Sequence, residues 1–148
     1  MKKIFVYYSF TGNGDVVSEH LKSKGFETFK VIRKKRMPKS FFFSVLHGGF
    51  LAGINHKDKL DNFNIDVDGY EEIVIGSPIW NGRFSSPVNT VLACLDLKDK
   101  NVKFVFYSGS GEGPKALKRI NKEFPNSRAI FLKEPKKNID ELKKLEDL

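Results

Sequence analysis

The chain begins with a near-continuous apolar run, residues 3–8 (KIFVYY). It breaks directly into a loop of small and polar residues, Ser9-Phe10-Thr11-Gly12-Asn13-Gly14, and then into the helix-like segment 15–24. A strand without polar alternation is covered on both faces, as in the middle of a parallel sheet. The basic start and apolar run also have the outline of a short signal peptide. The run is only about half the usual length and leads into a Gly/Asn loop with no small-residue cleavage site, so it reads as a first strand.

The same unit recurs downstream. Residues 72–75 (EIVI) and 102–107 (VKFVFY) read as two further central strands, each ending at glycine or serine. The more polar or shorter runs 26–32 (FETFKVI) and 129–132 (AIFL) suit edges. Helical segments are expected over 15–24, 87–97 and 114–124, with Pro87 and Pro114 in first turns where proline is tolerated. Val88, Val91, Leu92 and Leu95 repeat at helical spacing, as do Leu117, Ile120 and Phe124. Residues 138–148 read as a charged amphipathic helix with Ile139, Leu142 and Leu145 inward. The alternation predicts an α/β fold with a doubly wound five-stranded parallel sheet in the order 2-1-3-4-5. With 148 residues and no linker or repeat, a single domain over 1–148 is expected.

Residues 37–63 depart from this rhythm. Phe41, Phe42, Phe43, Leu46, Phe50, Leu51 and Ile54 make the segment strongly apolar, while Gly48, Gly49 and Gly53 argue against one long helix. A short helix followed by an apolar loop on the sheet is expected. Two roles stand open: an extended crossover, or a lid or partner-docking patch.

In an open α/β sheet, ligands bind beyond the carboxyl ends of the strands, where the strand order reverses. Three loops emerge there: Ser9 to Gly14; Ser77-Pro78-Ile79-Trp80-Asn81-Gly82; and Ser108-Gly109-Ser110-Gly111-Glu112-Gly113. Glycine lets backbone N–H groups wrap an anion, and the following helix N-terminus adds partial positive charge. The first loop is neither a dinucleotide fingerprint nor a P-loop.

The first loop closely resembles the phosphate loop of the flavodoxin family, S-x-T-G-N-T. The likeness extends to G-S-P-I-W-N-G at 76–82, to P-V-N-T at 87–90 and to Gly48-Gly49-Phe50-Leu51-Ala52. The resemblance implies a flavodoxin-like FMN protein. Ser9, Thr11, Gly12, Asn13 and Gly14 would hold the FMN phosphate. Pro78, Ile79, Trp80, Asn81 and Gly82 would flank one side of the ring system, with Trp80 stacking on it. Ser108, Gly109, Ser110, Gly111, Glu112 and Gly113 would line the other side and its pyrimidine edge, where Glu112 either tunes the reduction potential or faces water at a helix start. The family's second Thr is Gly14 here, and the adjacent Asp15 is expected to cap the helix and so place a carboxylate near the phosphate.

Three functions remain open on these grounds. The first is electron transfer with FMN, docked against a redox partner protein. The second is an NAD(P)H-dependent oxidoreductase acting on a quinone or similar acceptor. The third is a flavin-free module that binds acidic partners. The net charge of +8 departs from typical acidic flavodoxins. A basic surface attracts acidic partners, nucleic acid or anionic lipid head groups; of these an acidic redox partner is expected and nucleic acid is not. The expected sources of the charge are 30–39 and 133–144, either as docking surfaces or as solvated lysine-rich faces. No run is long enough for a membrane span. Cys94, the only cysteine, excludes an internal disulfide and points to a reducing cytoplasm; beside Leu92 and Leu95 it reads as a small core residue. His20, His47 and His56 lack metal-ligand spacing and carry no expected role.

Overall fold

The computed structural model describes residues 1–61 and 63–148, with Phe41 described through its backbone alone. In chain order the first half contains β1 (Lys3–Tyr7), α1 (Asn13–Ser23), β2 (Glu27–Lys30), β3 (Ile32–Arg33), α2 (Phe41–Gly53) and β4 (Leu60–Asp61). The second half contains β5 (Glu72–Trp80), β6 (Arg83–Phe84), α3 (Ser86–Cys94), β7 (Asn101–Ser108), α4 (Pro114–Glu123), β8 (Arg128–Lys133) and a 3-10 helix (Ile139–Leu145).

The main sheet runs β2-β1-β5-β7-β8, all parallel, which is the expected order 2-1-3-4-5 with doubly wound α/β architecture. Ile4 lies opposite Ile73, and Ile75 opposite Phe104, so side chains of like direction sit in rows. Because successive strand residues face opposite ways, the core divides in two. On one face Ile4, Val6, Ile73, Ile75, Phe104 and Phe106 pack with Val88 and Val91 of α3 and Ala116 and Ile120 of α4. On the other, Phe5, Tyr7, Val74, Val105 and Leu132 meet Val17 and Leu21 of α1 and Leu142 and Leu145 of the 3-10 helix.

Four expectations change. The second predicted strand breaks after Lys30, and Ile32–Arg33 pairs instead with β4 in a small antiparallel sheet. The C-terminal segment is a 3-10 helix, whose period of three stacks Leu142 on Leu145, while Ile139 at its start is 60% exposed. Cys94 is exposed, because α3 ends there and the chain turns Leu95 inward instead. The glycines of 48–53 do not interrupt a helix: α2 is continuous through them. A Cβ on Gly48 would lie 3.1 Å from the Trp80 ring, so the missing side chain is what lets α2 approach β5.

The ends of the 37–63 insertion are fastened by charge. The Arg33 guanidinium pairs with Asp58 (2.8 Å), and both side chains are buried. Asp58 also accepts a hydrogen bond from the Ser86 hydroxyl (2.5 Å), and its carbonyl accepts one from Thr90 (2.6 Å), tying the returning chain to α3.

Candidate functional site

The first loop is built around two glycines. Gly12 precedes α1 with φ +95°, a left-handed conformation that glycine adopts without penalty. The Gly14 N–H donates to the Ser9 hydroxyl (3.1 Å), closing the loop on itself. A Cβ on Gly14 would stand 2.4 Å from the Tyr107 hydroxyl and 2.9 Å from Ser9 Cβ. That hydroxyl donates to the Tyr8 carbonyl, fixing the ring beneath the loop. The N-cap residue Gly12 brings no side-chain acceptor to α1, and the Ser9 hydroxyl takes only the Gly14 N–H of the first turn, so the N-terminal dipole faces the loop.

Asp15 does not cap the helix as expected. Its carboxylate accepts hydrogen bonds from the Tyr7 hydroxyl (3.0 Å) and the Lys30 ammonium (2.7 Å), so its charge is directed toward β2 and partly neutralised. The loop gains a cation that the sequence did not disclose. The Lys136 ammonium donates to the Thr11 carbonyl (3.3 Å), and its backbone N–H donates to the Asn13 side chain (3.0 Å). These contacts span more than 120 residues of chain.

The second loop is more regular than expected. β5 continues through Ser77, Pro78, Ile79 and Trp80, then turns at Asn81 and Gly82 into β6, pairing Trp80 with Arg83. Asn81 (φ +51°) and Gly82 (φ +73°) are both left-handed, as a two-residue type I′ turn demands. The Asn-Gly pair was the available signal for this hairpin. Buried Ser77 secures its base: the hydroxyl accepts the Ser85 N–H at 3.1 Å.

The third loop is organised by Ser108, whose hydroxyl accepts the N–H groups of Gly111 (2.9 Å) and Glu112 (3.2 Å); the Ser110 hydroxyl also accepts the latter, at 3.2 Å. The Glu134 N–H donates to the Ser108 carbonyl (3.0 Å), joining this loop to the chain that leads to Lys136.

A cavity of about 270 Å³ opens between the loops. Thr11 and Asn13, Pro78 through Asn81, and Ser108 with Gly109 line it. Ser9, Gly12 and Gly14, which shape the first loop, and Gly82 of the hairpin turn do not line it. Gly111, Glu112 and Gly113 border a separate concavity of about 230 Å³ with Leu117 and Phe131, while Ser110 props the loop. The carboxylate-bearing residue at the main cavity is Glu134. Phe10, Ser44, Val45, Gly49, Tyr107 and Glu134 complete the wall and were not among the expected site residues. Trp80 meets Tyr8 edge to face, with centroids 5.8 Å apart. A larger concavity of about 510 Å³, lined by Arg83, Lys115 and Arg119 among others, shares no residue with this cavity. The glycine cradle, the N-terminus of α1 and the lysine together suit an anion, and the aromatic and apolar walls beside them suit a flat ring.

No family model matches the sequence, and no curated protein matches it. Solved structures do. A protein from Bacteroides eggerthii, provisionally described as a flavoprotein, aligns over 93% of this chain and 94% of its own with TM-score 0.77 and 18% identity. A flavoprotein from Lactobacillus acidophilus, solved in complex with FMN, aligns over 94% and 97% with TM-score 0.69 and 21% identity. A flavodoxin from the domain Archaea aligns over 98% and 93% with TM-score 0.50 and 16% identity. The chain has the flavodoxin-like fold, and its candidate site lies at the strand ends where that fold places ligands.

Proposed function

We propose that this chain binds one FMN across the cavity and serves as an electron carrier. The observation that carries the reading is the N-terminus of α1 at the Gly12–Gly14 cradle, with Lys136 on the Thr11 carbonyl and an aromatic-walled cavity lined by Thr11 and Asn13. A phosphate dianion would match that arrangement: backbone N–H groups, the Thr11 and Asn13 side chains and the Lys136 ammonium would donate to it, and Asp15 is held by Lys30 and Tyr7.

FMN, when bound, supplies the one- or two-electron chemistry. The chain supplies position and exclusion of water. Pro78, Ile79, Trp80 and Val45 provide apolar wall, and Ser44, Gly49 and Asn81 border it. The Asn81-Gly82 peptide, at the tip of a two-residue hairpin, would be the backbone that answers changes in the ring's hydrogen bonding. With no second basic loop among the described residues that line the cavity to hold an adenylate, FMN is favoured over FAD. The single cysteine fits a reducing cytoplasm, and the net positive charge fits an acidic redox partner.

Titration of the purified chain with FMN, riboflavin and FAD tests the reading. FMN binding tightest by at least tenfold is expected. Equal affinity for riboflavin shows that the loop holds no phosphate and overturns it.

A further inference from the structure

Helix α2 is apolar on both sides. Its inner line, Ser44, Gly48, Leu51 and Ala52, is buried. Its outer line repeats every four residues as Phe42, Leu46 and Phe50, flanked by Phe43 and Ile54, and these residues are 55–65% exposed. A surface helix normally turns charged residues outward, and a contiguous apolar face of this kind marks an interaction site.

The chain's charge is concentrated around the same helix. Residues 33–59 hold seven Lys or Arg against one acid, which is +6 of the net +8. The acid, Asp58, is buried in its pair with Arg33. That leaves Lys34, Lys35, Arg36 and Lys39 exposed in the segment before α2, and Lys57 and Lys59 exposed in the segment after it, Lys57 also lining the concavity of about 510 Å³. The two flanks are drawn together: the Lys34 N–H donates to the Lys59 carbonyl at 2.9 Å. No ion pair among the described residues engages any of these six cations. By contrast, Lys137, Lys143 and Lys144 in the C-terminal basic run are paired with Glu134, Asp140 and Glu141.

We propose that α2 is an interfacial anchor that lays its outer face into the surface of an anionic phospholipid bilayer. At 13 residues it is about 20 Å long. No helix among the described residues is long and apolar enough to cross a membrane, so α2 lies in the plane of the interface. The Phe and Leu side chains enter the acyl boundary, and the cations of the two flanking segments meet lipid phosphates, the combination that makes surface binding stable. A second copy of the chain fits less well, because it would bring six further unpaired cations into the same interface. The opposite side of α2 contributes Ser44, Val45 and Gly49 to the candidate cavity, so the anchor holds that cavity at the bilayer surface.

Co-sedimentation of the full chain with vesicles tests this, and its readout is independent of whether FMN binds. Vesicles of phosphatidylcholine and phosphatidylglycerol in equal parts are expected to carry the protein down, and pure phosphatidylcholine to leave it in solution. Binding should weaken as salt is raised. Changing Lys34, Lys35, Arg36 and Lys39 together to Gln should reduce partitioning roughly a hundredfold or more, from about fivefold per cation. Phe42→Ser with Phe50→Ser should reduce it about tenfold or more by removing buried apolar area. These side chains are exposed, and circular dichroism checks that the variants fold. The proposal is overturned by failure to bind anionic vesicles, by equal or salt-independent binding to both vesicle types, or by a stable dimer that the Phe variant dissociates.

Discussion

The hydroxyl of Tyr107 occupies the space that a side chain at Gly14 would need: an added Cβ would lie 2.4 Å from the oxygen and 2.8 Å from the ring carbon bearing it. The glycine in the phosphate-loop pattern is therefore set by packing from β7. In a helix's first turn, Gly14→Ala would ordinarily gain up to about 1 kcal/mol from propensity. Here overpacking should outweigh that gain and leave a net loss of about 2 kcal/mol in a urea melt. Adding Tyr107→Phe, which removes the nearest atom, should recover part of the loss; simple additivity of the two changes would show that they do not meet.

Lys136 supplies the site's cation from the far end of the chain. Lys136→Ala should weaken FMN binding about tenfold while leaving riboflavin affinity nearly unchanged, since a charge-assisted hydrogen bond to phosphate is worth about 1.5–3 kcal/mol before solvent exposure reduces it. Calorimetry with both ligands separates the cases, and an equal loss for both would place Lys136 in loop support instead.

Trp80 is the only tryptophan, so its emission reports on one wall of the cavity. FMN should quench it strongly at saturation, and Trp80→Ala should weaken FMN binding about tenfold through lost stacking and area. Gly48→Leu, which drives a side chain into the same ring, should perturb emission without any ligand. Unchanged emission on FMN saturation excludes the contact.

Asp58 fastens the insertion that carries α2. Asp58→Ala leaves the Arg33 guanidinium buried without its counter-charge and removes an acceptor from Ser86. A loss of about 3–5 kcal/mol is expected by chemical denaturation. Asp58→Asn, which keeps an acceptor for Ser86, should cost less.

Alkaline pH should expose the buried tyrosines. Burial pushes the Tyr7 phenol up to about 12; a hydrogen bond with Ser18 opposes the rise and the Asp15 carboxylate reinforces it. Burial also holds Tyr107 well above the ordinary phenol range. The folded state thus binds these protons more tightly than the unfolded chain, whose phenols titrate near 10. Their contribution to stability is complete below about pH 10 and declines above it, Tyr7's being lost as pH climbs through about 12. Tyr7→Phe should flatten that decline in denaturation midpoints measured across the range; an unchanged slope would show that Tyr7 takes no part in it.

Local periodicity in the sequence determined the strand and helix segments of the α/β alternation, the loops at 9–14, 77–82 and 108–113 and the helices with Pro87 and Pro114 in their first turns. The strand order rests instead on the common doubly wound arrangement. Apolar runs, glycine loops and helical spacing each act within one or two turns of chain, so they are readable residue by residue. The Asn81-Gly82 turn was equally local, and only its φ values show it as a hairpin that carries β5 on through Trp80. The tertiary structure alone decided what fills Gly14's space, where Asp15 directs its charge, and that Lys136 reaches Thr11. It also decided that Gly48 serves close packing on Trp80 rather than helix breaking, and that Cys94 faces out. Each of these depends on atoms from distant segments meeting across the sheet, and hydrophobic spacing along one element carries no information about which remote side chain takes the space beside it.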